Sequence, residues 1–231
     1  MTKNIHTISI IYNTDISYSE IPFFRGAVLK SLGNDADVLF HNHIGDSSYK
    51  YSYPFIQYKR LNGKATVTCV EEGIDQIGKI LSSFSGKINL GKREVDCEVL
   101  KVISDETQIQ VKETPIDYTL QRWLPLNTKN YELYHNTEEL VDKIRILERI
   151  LVGNILSFLK GVGIHLEDKI TVSICDILNQ KVINYKDIKL MSFDIKFESN
   201  ILLPSYIGIG KNTSIGCGLL TKVTNEKSAG L

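Results

Sequence analysis

The sequence lacks a surplus of charge of either sign, because 27 lysine and arginine residues balance 27 aspartate and glutamate residues. A domain that binds nucleic acid through bulk charge carries a broad basic excess, and this chain does not. The composition by itself therefore does not indicate binding to nucleic acid, and any such function must be argued from local features. Any function that depends on binding phosphate must use a localised strip of basic side chains.

Cysteine is also scarce, and its four copies are scattered singly without any CxxC spacing. They are Cys69, Cys97, Cys175 and Cys217. This distribution argues against a zinc site and against a disulfide scaffold. We expect all four to be small core residues.

Long uninterrupted apolar runs are missing as well. The apolar stretch over residues 6–12 is too short for a signal peptide. The longest apolar helix candidate, residues 144–158, contains Arg145, Glu148, Arg149 and Asn154. These side chains indicate a buried helix of a soluble protein rather than a membrane span. We therefore expect a cytoplasmic protein without a membrane partner.

What is present is enough apolar sequence, 42% of 231 residues, for a substantial core in one large domain or two small ones. In the first half, periodicity and turn residues predict a strand over 6–16, a helix from Ser19 to Gly33, strands over 54–60 and 65–70, and a helix from 71 to about 86. Residues 87–101 then contain β-favouring residues around a Gly91-Lys92 turn and complete the order with a strand. Asn62-Gly63 between two of these strands is typical of a tight hairpin. Phe23, Ala27, Val28 and Leu32 are the predicted apolar face of the first helix.

The resulting order, β-α-β-β-α-β, is the ferredoxin-like arrangement. It places both helices on one face of a four-stranded antiparallel sheet and leaves the other face available. The second half predicts a strand over 107–118, a long helix over 137–161 and strands near 169–175 and 188–198, without a clear second helix. We therefore predict an α+β protein of two tandem ferredoxin-like domains, residues 1–105 and a degenerate copy over 106–231.

Two histidines separated by one residue, His41 and His43, are the first candidate for chemistry. In an extended chain they point the same way, roughly 6 to 7 Å apart. Imidazole, with an ordinary pKa of about 6.5, can both accept and donate protons near neutrality. Such a pair can supply the base and the acid for RNA cleavage by the 2′-hydroxyl group without metal. A surface coincidence and half of a metal site, with Asp46 as the nearby carboxylate, are the alternatives.

A glycine-rich stretch, IGIGKNTSIGCG over residues 207–218, is the second candidate. Glycines allow backbone amides to approach a phosphate group closely. The order required of a nucleoside-triphosphate loop is absent, and the alternative is a hairpin that simply turns the chain. A third feature, TLQRWLPLNTKNYELY over residues 119–134, contains the only tryptophan, Trp123, and is predicted to be an inter-domain connector anchored by that ring.

Six segments taken together resemble one family. They are FFRGAVLKSLG, HNH followed by YKYSYPFIQYKR, EGIDQIGKI, RWLPLNTKNY, ILVGNILSFLKGVG and IGIGKNTSIGCG. In this order they are similar to the b-type branch of Cas6, the CRISPR-associated endoribonucleases that process repeat RNA. The resemblance spans the chain and implies tandem RNA-recognition folds with the glycine-rich loop near the cleft between them.

The resemblance also implies an activity and a set of residues. Enzymes of this family cut CRISPR repeat RNA without metal or another cofactor, leaving a 2′,3′-cyclic phosphate and a 5′-hydroxyl group. The catalytic residues implied here are His41 and His43, supported by Tyr51, Tyr49 and Lys30. The residues implied to hold RNA are Gly208, Gly210, Lys211, Gly216, Gly218, Lys59 and Arg60.

Besides repeat RNA, the resemblance leaves open contacts with other CRISPR-associated proteins or self-association. Two further hypotheses belong to other functional classes. One is a non-catalytic scaffold that binds repeat RNA within a CRISPR effector complex. The other is a ferredoxin-like interaction or ligand module that does not bind RNA.

Overall fold

A computed structural model of the chain describes residues 3–33, 53–83, 86–185 and 188–223. Its strands form two four-stranded antiparallel sheets and one small two-stranded sheet. Each large sheet belongs to one half of the chain, and the two halves share a hydrophobic core. Within the described ranges, no helix is both long and apolar enough to span a membrane.

The first half has the predicted ferredoxin-like order. Its elements are β1 (Lys3–Asp15), α1 (Ile21–Leu32), β2 (Ile56–Leu61), β3 (Lys64–Val70), a 3₁₀ turn (Glu71–Gln76), α2 (Ile77–Ser83), β4 (Gly86–Leu90), β5 (Arg93–Cys97) and β6 (Val99–Ile109). The sheet runs β2-β3-β1-β6. The turn at Gly91-Lys92 lies where it was predicted, between β4 and β5, but these two strands form a separate hairpin and the fourth strand of the sheet is β6.

The start of α1 differs from the prediction by a small shift in register. Residues 18–20 first form a 3₁₀ turn, and the Ser17 backbone N–H donates to Glu20 Oε2 at 2.7 Å, so Ser17 rather than Ser19 caps the entry. The buried face of α1 consequently consists of Ile21, Phe24, Val28 and Leu32. Phe23, predicted to be core, is 52% exposed.

The second half repeats the same sheet order. Its elements are β7 (Val111–Trp123), α3 (Thr128–Asn136), α4 (Leu140–Gly161), β8 (Val172–Tyr185), β9 (Ile188–Ile201), a 3₁₀ turn (Thr213–Ile215) and β10 (Leu219–Lys222). The sheet runs β10-β7-β9-β8, which is the ferredoxin-like order with the glycine-rich segment in place of the second helix. The prediction of a degenerate second copy is confirmed.

Three predictions for this half need correction. The strand expected over 107–118 is two strands, because β6 ends at Ile109 and β7 begins at Val111. The long helix begins at Leu140, after the separate helix α3. Residues 119–123 are the end of β7 rather than a connector, although Trp123 is fully buried and donates from Nε1 to Asn154 Oδ1 of α4 at 2.9 Å.

The face of the first sheet that was expected to be available is covered by the second half. Its polar side chains are buried, with exposures of 0 to 4%, and they are Thr7, Ser9, Gln57, Lys59, Thr66 and Thr68. Ile11 and Leu61 on this face pack in one cluster with Leu219 of β10. The expectation of an open face is therefore wrong, because the first sheet is sandwiched between its own helices and the C-terminal half.

The cysteines follow the core prediction with one exception. Cys69, Cys97 and Cys217 are buried, whereas Cys175 is exposed. Cys175 lies on β8, the outermost strand of the second sheet, which explains its exposure. All four thiols are free.

The glycine-rich segment packs so tightly that two of its glycines have no acceptable substitute. A Cβ atom at Gly216 would lie 2.6 Å from Ile21 Cδ1 and 3.3 Å from the carbonyl oxygen of Tyr58, with φ at +82°. A Cβ atom at Gly218, where φ is +65°, would collide with the carbonyl oxygen of Ile209. Both positions therefore require glycine for conformation and for space.

Gly218→Ala should lower the free energy of unfolding by about 2 to 4 kcal/mol, because it combines backbone strain with a clash against rigid backbone. Urea unfolding followed by circular dichroism measures this loss. Gly153→Ala is the matched control, because Gly153 lies within α4 and nothing lies within 4 Å of an added Cβ atom. This substitution should raise the free energy of unfolding by about 0.5 to 1 kcal/mol. Equal effects at the two positions would contradict the packing described here.

Candidate nucleic-acid interface

Four of the predicted catalytic residues, His41, His43, Tyr49 and Tyr51, lie outside the described residues. The fifth, Lys30, is exposed in the last turn of α1, three residues before Gly33. The chain continues from this helix end toward the two histidines in sequence. The proton-transfer roles of the histidines and tyrosines therefore stay predictions.

Lys30 lines a groove between α1 and the β4–β5 hairpin, with a volume of about 430 Å³. Phe23, Gly26 and Ala27 share this face of α1, and the hairpin contributes Lys87 and Gly91, among others. The Phe23 ring is exposed because it stands on this side of α1 rather than in the core, and it would lie 3.5 Å from a Cβ atom at Gly91. The groove thus combines two ammonium groups with an exposed aromatic ring.

A second cavity of about 430 Å³ is the cleft between the two halves. Its lining comes from the turn before α1, from α1, from the end of β7, from β8 and from the glycine-rich segment; it comprises Tyr18, Ser19, Pro22, Arg25, Arg122, Leu124, Ile183, Asn184, Tyr185, Asn212, Ile215 and Cys217. All of these lining residues belong to the described part of the chain, and none of them is acidic. Pro22 lines both the cleft and the groove, so the two cavities adjoin one another across α1.

Two guanidinium groups contact the Tyr18 ring in the cleft. Arg60 of β2 lies 5.2 Å from the ring centroid and Arg122 of β7 lies 4.6 Å from it, distances typical of cation–π contacts. Arg60 also donates from Nε to the carbonyl oxygen of Ile16 at 2.6 Å. Tyr18 therefore brings together one cation from each half of the chain.

The predicted RNA contact of Lys59 does not fit its position. Its side chain is on the covered face of the first sheet, 1% exposed, and Nζ has no hydrogen-bonding partner among the described residues. Burial holds the pKa of Lys59 well below its ordinary value, and the Cys217 thiol nearby opposes this shift. Lys59 can act on a ligand in the cleft only through its charge, not by direct contact in this conformation.

The glycine-rich segment places most of its glycines in packing contacts rather than at the surface. Gly208, Gly216 and Gly218 are buried, and a Cβ atom at Gly210 would lie 3.0 Å from the Trp123 ring. The Ile209 backbone N–H donates to the carbonyl oxygen of Gly218 at 2.8 Å, which gives the segment the form of a hairpin-like loop. Lys211 is exposed, so of the five predicted RNA contacts in this segment it is the one with a free side chain at the surface.

Arg25, Arg122 and Tyr18 line the cleft but were not predicted to do so. Arg122 lies inside the RWLPLNTKNY segment, which was interpreted as a connector, so its position next to Tyr18 was hidden. One signal was present in the sequence: an arginine directly before a single tryptophan at the end of a strand. The pairing of β7 with β9 is irregular between Leu120 and Trp123, and Arg122 lies within this irregularity with a φ angle of +52°.

Two protein-family models match the chain. The model of the Cas6b N-terminal domain matches residues 3–108, and that of the Cas6b C-terminal domain matches residues 110–223. The chain belongs to the Cas6b family. The family suggested by the six sequence segments is thereby confirmed.

Solved structures agree with this membership. A crystal structure of Cas6b superimposes with a TM-score of 0.84 and 28% identity, covering 96% of this chain and 100% of that one. A second, a crystal structure of the CRISPR RNA processing endoribonuclease Cas6b, gives a TM-score of 0.74 and 25% identity over 96% of this chain and 100% of its own.

The chain also has a relative in sequence. A protein of Methanocaldococcus jannaschii described as uncharacterized is 34% identical over 146 residues, which are 60% of this chain and 98% of that protein.

Lys59→Met should stabilise this Cas6b-family protein at neutral pH by on the order of 1 kcal/mol or more, because it removes a buried ammonium group without an acceptor. Since burial lowers the pKa of Lys59 in the folded chain, the unfolded chain binds more protons between the two pKa values. The stability of the unmodified protein therefore rises with pH through that window, and the advantage of methionine shrinks toward pH 10.5. Urea unfolding at pH 7 and pH 10.5 measures the difference.

The control is Lys79→Met, at an exposed lysine of α2, which should change stability little at either pH. A loss of stability in Lys59→Met at both pH values would contradict the uncompensated burial of this side chain.

Proposed function

We propose that this protein is a metal-independent endoribonuclease that binds and cuts CRISPR repeat RNA. The observation that carries the proposal is the match of Cas6b family models to both halves of the chain. It is supported by the full-length similarity to a structure titled CRISPR RNA processing endoribonuclease Cas6b. The division into units of residues 1–105 and 106–231 is part of the same proposal.

The reaction proposed is attack by a ribose 2′-oxygen on the adjacent phosphorus. One of His41 and His43 accepts the proton of the 2′-hydroxyl group, and the other donates a proton to the departing 5′-oxygen. The bond between phosphorus and the 5′-oxygen breaks, leaving a 2′,3′-cyclic phosphate and a 5′-hydroxyl group. Tyr51 or Tyr49 supports the phosphate, and the ammonium group of Lys30 stabilises the charge that develops on it.

RNA binding is assigned to the groove and the adjoining cleft. Both are lined by basic and aromatic side chains, which is the combination that holds single-stranded RNA by phosphate contacts and base stacking. Arg60 and Lys211 are the predicted RNA contacts with side chains that are not buried. Because the net charge of the chain is zero and the basic side chains are gathered along the groove and the cleft, we expect RNA to be bound by a few phosphate contacts rather than by bulk charge.

The test is cleavage of repeat RNA, transcribed from a CRISPR array of the source genome, by the full-length protein in EDTA. Cutting should persist, and RNA with a 2′-deoxyribose at the cut position should stay intact. His41→Ala and His43→Ala should each lower the single-turnover rate by about 10²-fold or more, the usual contribution of a general acid or base. The cyclic phosphate end is detected by mass spectrometry of the products.

His165→Ala is the matched control, because it removes an exposed imidazole in the C-terminal half. Unchanged cutting in both His41→Ala and His43→Ala would refute the acid–base assignment. Tight binding of repeat RNA without any cutting by the unmodified protein would favour the scaffold alternative. Loss of cutting in EDTA would identify a metal-dependent enzyme.

A further inference from the structure

The cleft between the halves is cationic in a chain whose total charge is balanced. Arg25 and Arg122 line it, while none of its described lining residues carries a carboxylate. Arg60 joins them on the Tyr18 ring. Among the described residues, no carboxylate forms an ion pair with Arg60, Arg122 or Lys59. Arg60 and Arg122 therefore meet on Tyr18 without an ion-paired carboxylate in the described part of the chain.

Arg122 is held in position by contacts on several sides. Its backbone N–H donates to Asp194 Oδ1 at 2.6 Å, and its carbonyl oxygen accepts from the Gly218 N–H at 3.0 Å. Its guanidinium group lies on the Tyr18 ring and lowers the pKa of the Cys217 thiol, while Nε is buried and has no partner in the described part of the chain. A guanidinium group held in this way is preorganised for an anion in the cleft.

Lys59 adds a second charge from beneath the glycine-rich segment. Its Cα atom would lie 3.6 Å from a Cβ atom at Gly216, so the backbone of β2 at Lys59 packs directly against the glycine-rich segment. Cys217 lines the cleft, and burial raises the pKa of its thiol, whereas the charges of Arg122 and Lys59 oppose that shift. An unpartnered buried ammonium group is unfavourable, and an anion bound nearby offsets that cost.

We propose that the cleft anchors one phosphodiester group of the RNA on Arg122, with Lys59 strengthening the attraction from beneath the glycine-rich segment, at a linkage other than the one that is cut. The identity of the ligand rests on the proposed function. The anchor itself rests on the geometry of the cleft. Arg122 is the residue that contacts the phosphate, and Lys59 is a positioning residue that acts through its charge.

The experiment measures the affinity of repeat RNA that carries a 2′-deoxyribose at the cut position, so that it binds without being cleaved. Arg122→Gln should weaken binding about tenfold and reduce the slope of log affinity against log salt by about 0.7, the value for one phosphate contact on a single strand. Lys59→Met should weaken binding about threefold while the protein stays folded. Arg145→Gln, at an exposed arginine of α4, is the matched control and should change neither quantity.

Replacing the phosphates one at a time by neutral methylphosphonates locates the anchor. In the unmodified protein, one linkage away from the cut should cost about tenfold in affinity when neutralised. At that linkage the same replacement should cost nothing further in Arg122→Gln, because each change removes the same contact. The anchor would be overturned if, at every linkage, the affinity loss from the methylphosphonate simply added to the loss from Arg122→Gln. It would also be overturned if the two losses were non-additive only at the linkage that is cut.

The outcomes separate the anchor from the nuclease. Cutting by the unmodified protein together with purely additive losses refutes the anchor and leaves the nuclease standing. A coupled linkage in a protein that never cuts supports the anchor and refutes the nuclease. If Arg122→Gln does not fold, the methylphosphonate profile of the unmodified protein decides, since a profile that is flat outside the cut linkage refutes the anchor.

Discussion

Close contact between the glycine-rich segment and the back of β2 is the constraint on which the rest of the structure depends. Gly216 sits against Ile21 and the backbone of Tyr58, so the C-terminal half approaches the first sheet nearly backbone to backbone. This contact covers polar side chains that a lone ferredoxin-like sheet would leave in water. It also sets the position of the cleft, whose walls are the turn before α1 on one side and the end of β7 on the other.

The same contact explains why stability and charge conflict at this place. The hydroxyl groups of Thr68 and Ser9 form a hydrogen bond on the covered face, with their oxygens 2.9 Å apart. Because each hydroxyl has a partner, burying them costs little free energy. Lys59 Nζ has no such partner among the residues that the structure describes. An arrangement of this kind is unfavourable in the free protein and favourable once an anion is present, which is the usual relation between a binding site and the fold that carries it.

Features governed by neighbouring residues could be predicted from the sequence. The Asn62-Gly63 hairpin, the amphipathic helix α4 and the order of the strands follow from turn chemistry and apolar periodicity. The face of α1 was misjudged at Phe23 because a 3₁₀ turn before the helix leaves no mark in the hydrophobic pattern. Gln57 and Lys59 have the alternation of a solvent-facing strand, and only the C-terminal half, distant in sequence, makes their positions buried. Arg122 was missed for the same reason, since its role arises from a bulge in β7 and from a tyrosine more than one hundred residues earlier.

In a complete ferredoxin-like repeat, the link between the third and fourth strands is a helix that lies on its own sheet. Here residues 202–218 form that link and lie between the repeats: Gly210 faces Trp123 of their own repeat, while Gly216 faces Ile21 and Tyr58 of the other. The C-terminal half thereby supplies a covering layer for the N-terminal half. Neither repeat is then a closed folding unit. The two halves, made as separate polypeptides, would behave as complementary fragments that acquire their native structure by binding to one another.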